Sequence, residues 1–122
     1  MIAAKLDAAG TTLSVSFDTA TCSDTSSHEI VYGTGSQLPT SLGGTFGVTG
    51  SECAVGDTSP YTWNSVPGGT GLLWWVVVKK DASNREGSWG NTSGGERIGP
   101  GSGGSSGQCG VTTKIVSNAC GH

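Results

Sequence analysis

The sequence predicts an all-β fold, a two-sheet antiparallel β-sandwich of about seven strands, and three observations predict it. Apolar residues recur with a period of two and nowhere with the helical period of 3.6. Turn-forming Gly, Pro, Asn and Asp punctuate these runs roughly every 10 to 15 residues. The composition suits short strands and many turns, with 22 Gly and 12% charged residues in 122. No segment supports an amphipathic helix of useful length, and no internal repeat is present.

The elements follow in order. In "TTLSVSFD", Leu13, Val15 and Phe17 share one face and Ser14 and Ser16 the other, the pattern of a half-buried strand. "HEIVYGTG" is a short β-branched and aromatic run stopped by Gly33 and Gly35, and "TFGVTG" offers a weaker strand around residues 45–49. "PYTWNSV" alternates again, Tyr61 and Trp63 against Thr62 and Asn64. "VPGG" then turns the chain, Pro67 presetting its backbone and the glycines permitting positive φ.

Next comes "GLLWWVVVKK", in which the run from Leu72 to Val78 is uninterruptedly apolar. A strand with one wet face would alternate, so both faces of this one need cover. Trp74 and Trp75 must point to opposite faces: one enters the core and the other emerges. After the polar loop "DASNREGS" the strand pattern ends near Ile98. Residues 1–98 are therefore expected to form the sandwich, and 99–108, "GPGSGGSSGQ", a flexible linker. Residues 109–122 are expected to form a C-terminal β extension, with Val111, Thr113 and Ile115 on one face and Thr112, Lys114 and Val116 on the other. This extension is the expected cover for the outer face or free edge of the sheet containing Leu72 to Val78, within one chain or donated to a neighbour.

Composition bounds function. The length fits one domain, and six basic against nine acidic residues leave no basic surface to neutralise phosphates, which argues against nucleic acid. No run is long enough to cross a bilayer, and "MIAAKLDAAG" lacks the apolar centre of a signal peptide, so the leader of an exported chain would precede this numbering. Cys22, Cys53, Cys109 and Cys120 match neither a metal knuckle nor a redox motif, and only His28 and His122 are available as companions. An even count in a small, charge-poor chain reads as two disulfides formed in an oxidising compartment. Of the three possible pairings, nearest neighbours favour Cys22 with Cys53 and Cys109 with Cys120, each worth on the order of 3 to 4 kcal/mol.

"TLSVSFD", "HEIVYGTG" and "SPYTWNSVPGGTGLLWWVVVKKDASNREGSWG" resemble, in order and spacing, strands B, C and E to G of a fibronectin type III domain, over approximately residues 3–98. The resemblance implies a seven-stranded, immunoglobulin-like sandwich of two antiparallel sheets with strands B and E as neighbours. A Cys22–Cys53 bridge would then close one pole. The sequence departs from the family in carrying cysteines and in having Trp74 or Trp75 where the family has a tyrosine near the start of strand F. The ending "GSWG…ER…C…C" resembles modules of secreted bacterial proteins, which implies location and not activity.

Candidate chemistry is sparse. His28 and Glu29 beside Asp24, Ser26 and Ser27 suggest a hydrolase triad, but no nucleophile elbow or oxyanion loop accompanies them. Asp81, Asn84 and Glu86 offer oxygens for calcium at a spacing that an Asx turn explains as well, and Asn91 opens an "NTS" glycosylation acceptor. No catalytic residue, metal or cofactor is assigned. Trp63, Trp74, Trp75 and Trp89 are the candidate contact surface, because an exposed indole is a ledge for a sugar ring. The expected function is a non-enzymatic structural or adhesive module of a secreted or cell-surface protein, meeting copies of itself or other extracellular proteins and self-assembling through its C-terminal extension. The alternative is a carbohydrate-binding accessory module.

Overall fold

Of the period-two stretches, those around Leu13, Ile30 and Tyr61 form strands, as their alternation predicts. A computed structural model of the chain describes residues 1–21, 27–69 and 71–117; these form an all-β structure with no α-helix and two short 3-10 turns at Gly35–Gln37 and Ser102–Gly104. No helix among them is long and apolar enough to cross a membrane.

A three-stranded antiparallel sheet contains β1 (Ile2–Lys5), β2 (Leu13–Ser16) and β5 (Tyr61–Trp63), in the order β1-β2-β5. A five-stranded sheet contains β3 (Ser27–Thr34), β4 (Gly50–Gly56), β6 (Leu73–Lys80), β7 (Arg85–Glu86) and β10 (Thr113–Lys114), in the order β10-β7-β6-β3-β4. A small hairpin, β8 (Asn91–Thr92) with β9 (Gly95–Glu96), stands apart from both. The expected sheets were antiparallel throughout; β10 instead runs parallel to β7, so the larger sheet is mixed.

The two large sheets share one core. Val15 and Trp63 from the three-stranded sheet meet Ile30 and Val55 from the five-stranded sheet, with Leu13, Phe17, Tyr32, Tyr61 and Trp75 packed around them. Trp75 meets Trp63 edge-on with centroids 6.2 Å apart. Leu13, Val15 and Phe17 therefore share a face, and β2 pairs antiparallel with β5.

The opposite face of the five-stranded sheet explains the unbroken apolar run. Val31, Val78 and Trp89 form a second cluster with Phe46, Val48, Trp74 and Val76. Residues 45–49, expected as a weak strand, make only a single bridge, Thr45 to Ile98, and instead lie across this outer face. Their amides are held elsewhere: Phe46 N–H donates to the Ile98 carbonyl at 2.9 Å, Gly47 N–H to Gln37 at 2.8 Å and Thr49 N–H to Tyr32 at 2.9 Å. The strand after them, β4, was not anticipated from the sequence. The outward tryptophan is Trp74, and Phe46 and Trp89 cover it, with ring centroids at 5.4 and 6.0 Å.

The C-terminal part departs from expectation in its bridge and its packing. Among the described residues the disulfide is Cys53–Cys109, with Cα atoms 5.4 Å apart, and this replaces both favoured pairings; Cys22 and Cys120 themselves lie outside the described residues. Nearest-neighbour reasoning failed because the residues from 99 onward are not a spacer. Gly99 and Gly101 donate backbone hydrogen bonds to Gly104 and Ser105 at 2.7 and 2.8 Å, and Ser105 and Ser106 are buried. The chain crosses the outer face and brings Cys109 from the β7 side of the sheet to Cys53 on edge strand β4. The extension then supplies β10 to the free edge of β7 in the same chain.

Candidate functional site

The four tryptophans do not form a ledge. Trp63 is fully buried between the sheets and Trp75 packs beside it, while Trp89 is 5% exposed and Trp74 lies against it on the outer face. Trp63 and Trp89 thus serve the two cores, and neither can offer a ring face to a sugar.

The candidate triad is separated by strand geometry. His28 and Glu29 are consecutive on β3 and so project to opposite faces. His28 stacks on Phe17, centroids 4.5 Å apart, and its Nδ1 lies 2.9 Å from both Asp57 Oδ1 and the Gly56 carbonyl. Asp24 and Ser26 lie outside the described residues. The calcium candidates likewise fail to converge. The Asp81 carboxylate accepts from the Ser83 and Arg85 amides at 2.9 Å and from Arg85 Nε at 2.7 Å, which builds the tight β6–β7 turn with Asn84 in the left-handed region at φ 58°. Glu86 points away into the protein. Asn91 is exposed at the start of β8.

Glu86 anchors a buried polar network on the outer face. Its Oε1 accepts a hydrogen bond from Trp89 Nε1, and its Oε2 accepts from the Ser106 amide and hydroxyl at 2.7 Å each. Both oxygens of a fully buried carboxylate are thereby satisfied, as burial demands. Beside it on β3, Glu29 is 1% exposed and neither of its oxygens has a hydrogen-bond partner. Burial, and then the neighbouring Glu86, push the Glu29 pKa up to about 7.

A second network joins the hairpin to the extension. Glu96 accepts from the Trp89 amide at 2.7 Å, from Ser88 Oγ at 2.5 Å and from Lys114 Nζ at 3.2 Å. Lys114, its side chain 2% exposed, also donates to the Arg97 carbonyl at 2.6 Å and lies 4.4 Å from the centre of the Trp89 ring. Burial lowers its pKa, and Glu96 opposes that shift.

Above this network lies a groove of about 330 Å³, between residues 39–46 on one side and the β8–β9 hairpin on the other. Phe46 and Leu42 give it apolar surface, Thr40 and Ser41 line one wall, and Glu96 and Arg97 the other. Arg97 is seated by its neighbours: its amide donates to Gly90 O at 3.0 Å and its Nη1 to Trp89 O at 3.3 Å. Gly90, at φ 86°, makes the room, since a Cβ there would lie 2.9 Å from Nη1. Neither groove nor buried networks were read from the sequence. The available signals were Glu29, an acid inside the β-branched run "HEIVY", and "NTSGG", a hairpin turn that sets Glu96 and Arg97 just after it.

Comparison with protein-family models, with curated proteins and with solved structures finds no match to this chain, so the functional reading rests on its own fold and groove.

Proposed function

We propose that this chain is a non-enzymatic adhesive module of a secreted or cell-surface protein, built on a fibronectin type III-like sandwich, that holds a ligand in the groove between residues 39–46 and the β8–β9 hairpin. The strand orders support the architecture: β1-β2-β5 corresponds to strands A, B and E, and β7-β6-β3 to G, F and C. The Cys53–Cys109 bridge supports an oxidising compartment.

One observation carries the binding reading. At the groove Glu96 is turned to inward partners, including Lys114, and so is not a free general acid or base, whereas Arg97 keeps guanidinium donors with no ion-pair partner among the described residues. Such a surface recognises without transferring protons. Assembly through the extension is not part of the proposal, because β10 is engaged with its own sheet.

The second reading, a carbohydrate-binding accessory module, is favoured by the hydroxyls of Thr40 and Ser41 beside Phe46, and it moves the sugar site from the tryptophans to the groove. The test is binding of the oxidised chain to a panel of glycans and extracellular proteins, repeated with Leu42→Asp. Leu42 is 73% exposed, so this change should abolish binding while leaving the fold intact. Binding indifferent to Leu42→Asp would remove the groove from the account, and turnover of a bound ligand would overturn the non-enzymatic reading.

A further inference from the structure

The charges around the groove specify its ligand more narrowly than its shape does. Five charged or polar residues define the region: Glu96, Lys114, Arg97 and the hydroxyl wall of Thr40 and Ser41. Glu96 and Lys114 cancel as a pair, because the carboxylate accepts from Nζ at 3.2 Å and the lysine side chain is withdrawn from solvent. Thr92 is also occupied: its hydroxyl donates to Gly95 O and accepts from Gly94 N–H, at 3.1 Å each. The net positive group left in the groove wall is Arg97.

A guanidinium presents five N–H donors in a planar fork, and the one hydrogen bond from the Arg97 side chain, Nη1 to Trp89 O, leaves the others available. That contact holds the fork in place, so a ligand would meet a donor array that is already oriented. A planar guanidinium is matched by a carboxylate, which can accept two parallel hydrogen bonds. The opposite wall adds hydroxyls and the Phe46 face, which suit a ring bearing hydroxyl groups on one side and C–H groups on the other. About 330 Å³ is at the small end of ligand sites, room for roughly one or two sugar rings.

We infer that the groove binds the uronic acid residues of an acidic polysaccharide, with Arg97 taking the carboxylate and Thr40 and Ser41 the ring hydroxyls. This deepens the glycan-binding reading and rests on it. A peptide C-terminus offers the same carboxylate on a different body, but it would need a partner for its last amide, and the hydroxyl wall favours the sugar.

The test is calorimetric titration of the oxidised chain with trigalacturonate, with its neutral trimethyl ester, and with an acetylated tripeptide bearing a free C-terminal carboxylate, each at low and moderate salt. Trigalacturonate should bind roughly tenfold more tightly than the ester, weaken with salt, and lose that advantage in Arg97→Gln, with Arg97→Lys recovering only part of it. Equal binding of acid and ester would overturn the role of Arg97 while leaving a glycan site standing. Binding of the peptide but of neither sugar would overturn the sugar assignment, and binding of none of the three would overturn both the inference and the glycan reading beneath it. Arg97→Gln should leave the unfolding midpoint close to that of the parent chain, so lost affinity in a folded variant reports the site.

Discussion

Glu86 on β7 and Ser106, which are 20 residues apart, are joined by two hydrogen bonds of 2.7 Å, one from the serine amide and one from its hydroxyl, to a single carboxylate oxygen. A glycine-rich stretch that composition reads as a spacer is thereby made part of the structure. The contact fixes the chain as it begins to cross the outer face, and the Cys53–Cys109 bond fixes the far side of that crossing.

Glu86→Ala should therefore be among the most destabilising single changes outside the apolar core. It would leave the Ser106 amide and Trp89 Nε1 buried without acceptors, a loss of roughly 3 kcal/mol or more. Glu86→Gln should cost less, because it retains one carbonyl oxygen. Urea unfolding with hydrogen exchange at Ser106 checks both, and an unprotected Ser106 amide in the parent chain would contradict the anchoring.

Glu29 sets a pH dependence. Its folded pKa of about 7 lies above the ordinary value of 4.5, so the folded state holds a proton that the unfolded state releases between those values. The stability it contributes is present in full below about 4.5 and is lost as pH rises to about 7, an effect on the order of 3 kcal/mol. Melting curves from pH 4 to 8 should show the parent chain weakening over this window relative to Glu29→Gln. Parallel profiles for the two proteins would show that Glu29 is not the titrating group.

The disulfide makes a prediction about chemistry as well as stability. Digestion without reductant should release the Cys53 and Cys109 peptides as one linked species, and a Cys22–Cys53 peptide would be incompatible with the fold described. A loop closed over a sequence separation of 56 contributes on the order of 4 kcal/mol in the chain-entropy account. Cys53→Ser should accordingly lower the midpoint of unfolding and should free the segment around Cys109 first.

How much of this was legible depended on whether a residue's partner was local. Leu13, Val15, Phe17, Tyr61 and Trp63 announced their common face because alternation is written into consecutive residues. The opposite directions of Trp74 and Trp75 followed from the same rule. What covers Trp74 did not follow, since Phe46 and Trp89 arrive from loops with no period of their own. The disulfide was misread for a related reason: nearest-in-sequence pairing ignores where the chain before Cys109 runs, and residues 99–108, hydrogen-bonded in place and not slack, lead it to Cys53. The groove was invisible because its walls come from segments some 50 residues apart and neither carries a motif.

The last prediction concerns the close approach that seals the outer face. At Gly33 on β3 a Cβ would lie 2.7 Å from the Gly47 carbonyl oxygen and 2.7 Å from the Trp74 ring, so the bare backbone there is what lets residues 45–49 lie flat over the sheet. Gly33→Ala must push apart a backbone segment and a packed indole, neither of which is a flexible side-chain end, and should cost roughly 1 to 3 kcal/mol. The displacement should be visible before unfolding, because Trp74 touches both Phe46 and Trp89 and its fluorescence reports that packing. Gly56→Ala is the matched control: no atom lies within 4 Å of a Cβ at Gly56, and its φ of 70° confines the cost to backbone strain on an edge strand. A red-shifted, quenched Trp spectrum in Gly33→Ala with a near-parent spectrum in Gly56→Ala is the expected pair of results. Unchanged emission in Gly33→Ala would mean that the 45–49 segment does not press on Trp74 in solution, and the continuous apolar run of β6 would then need a different cover.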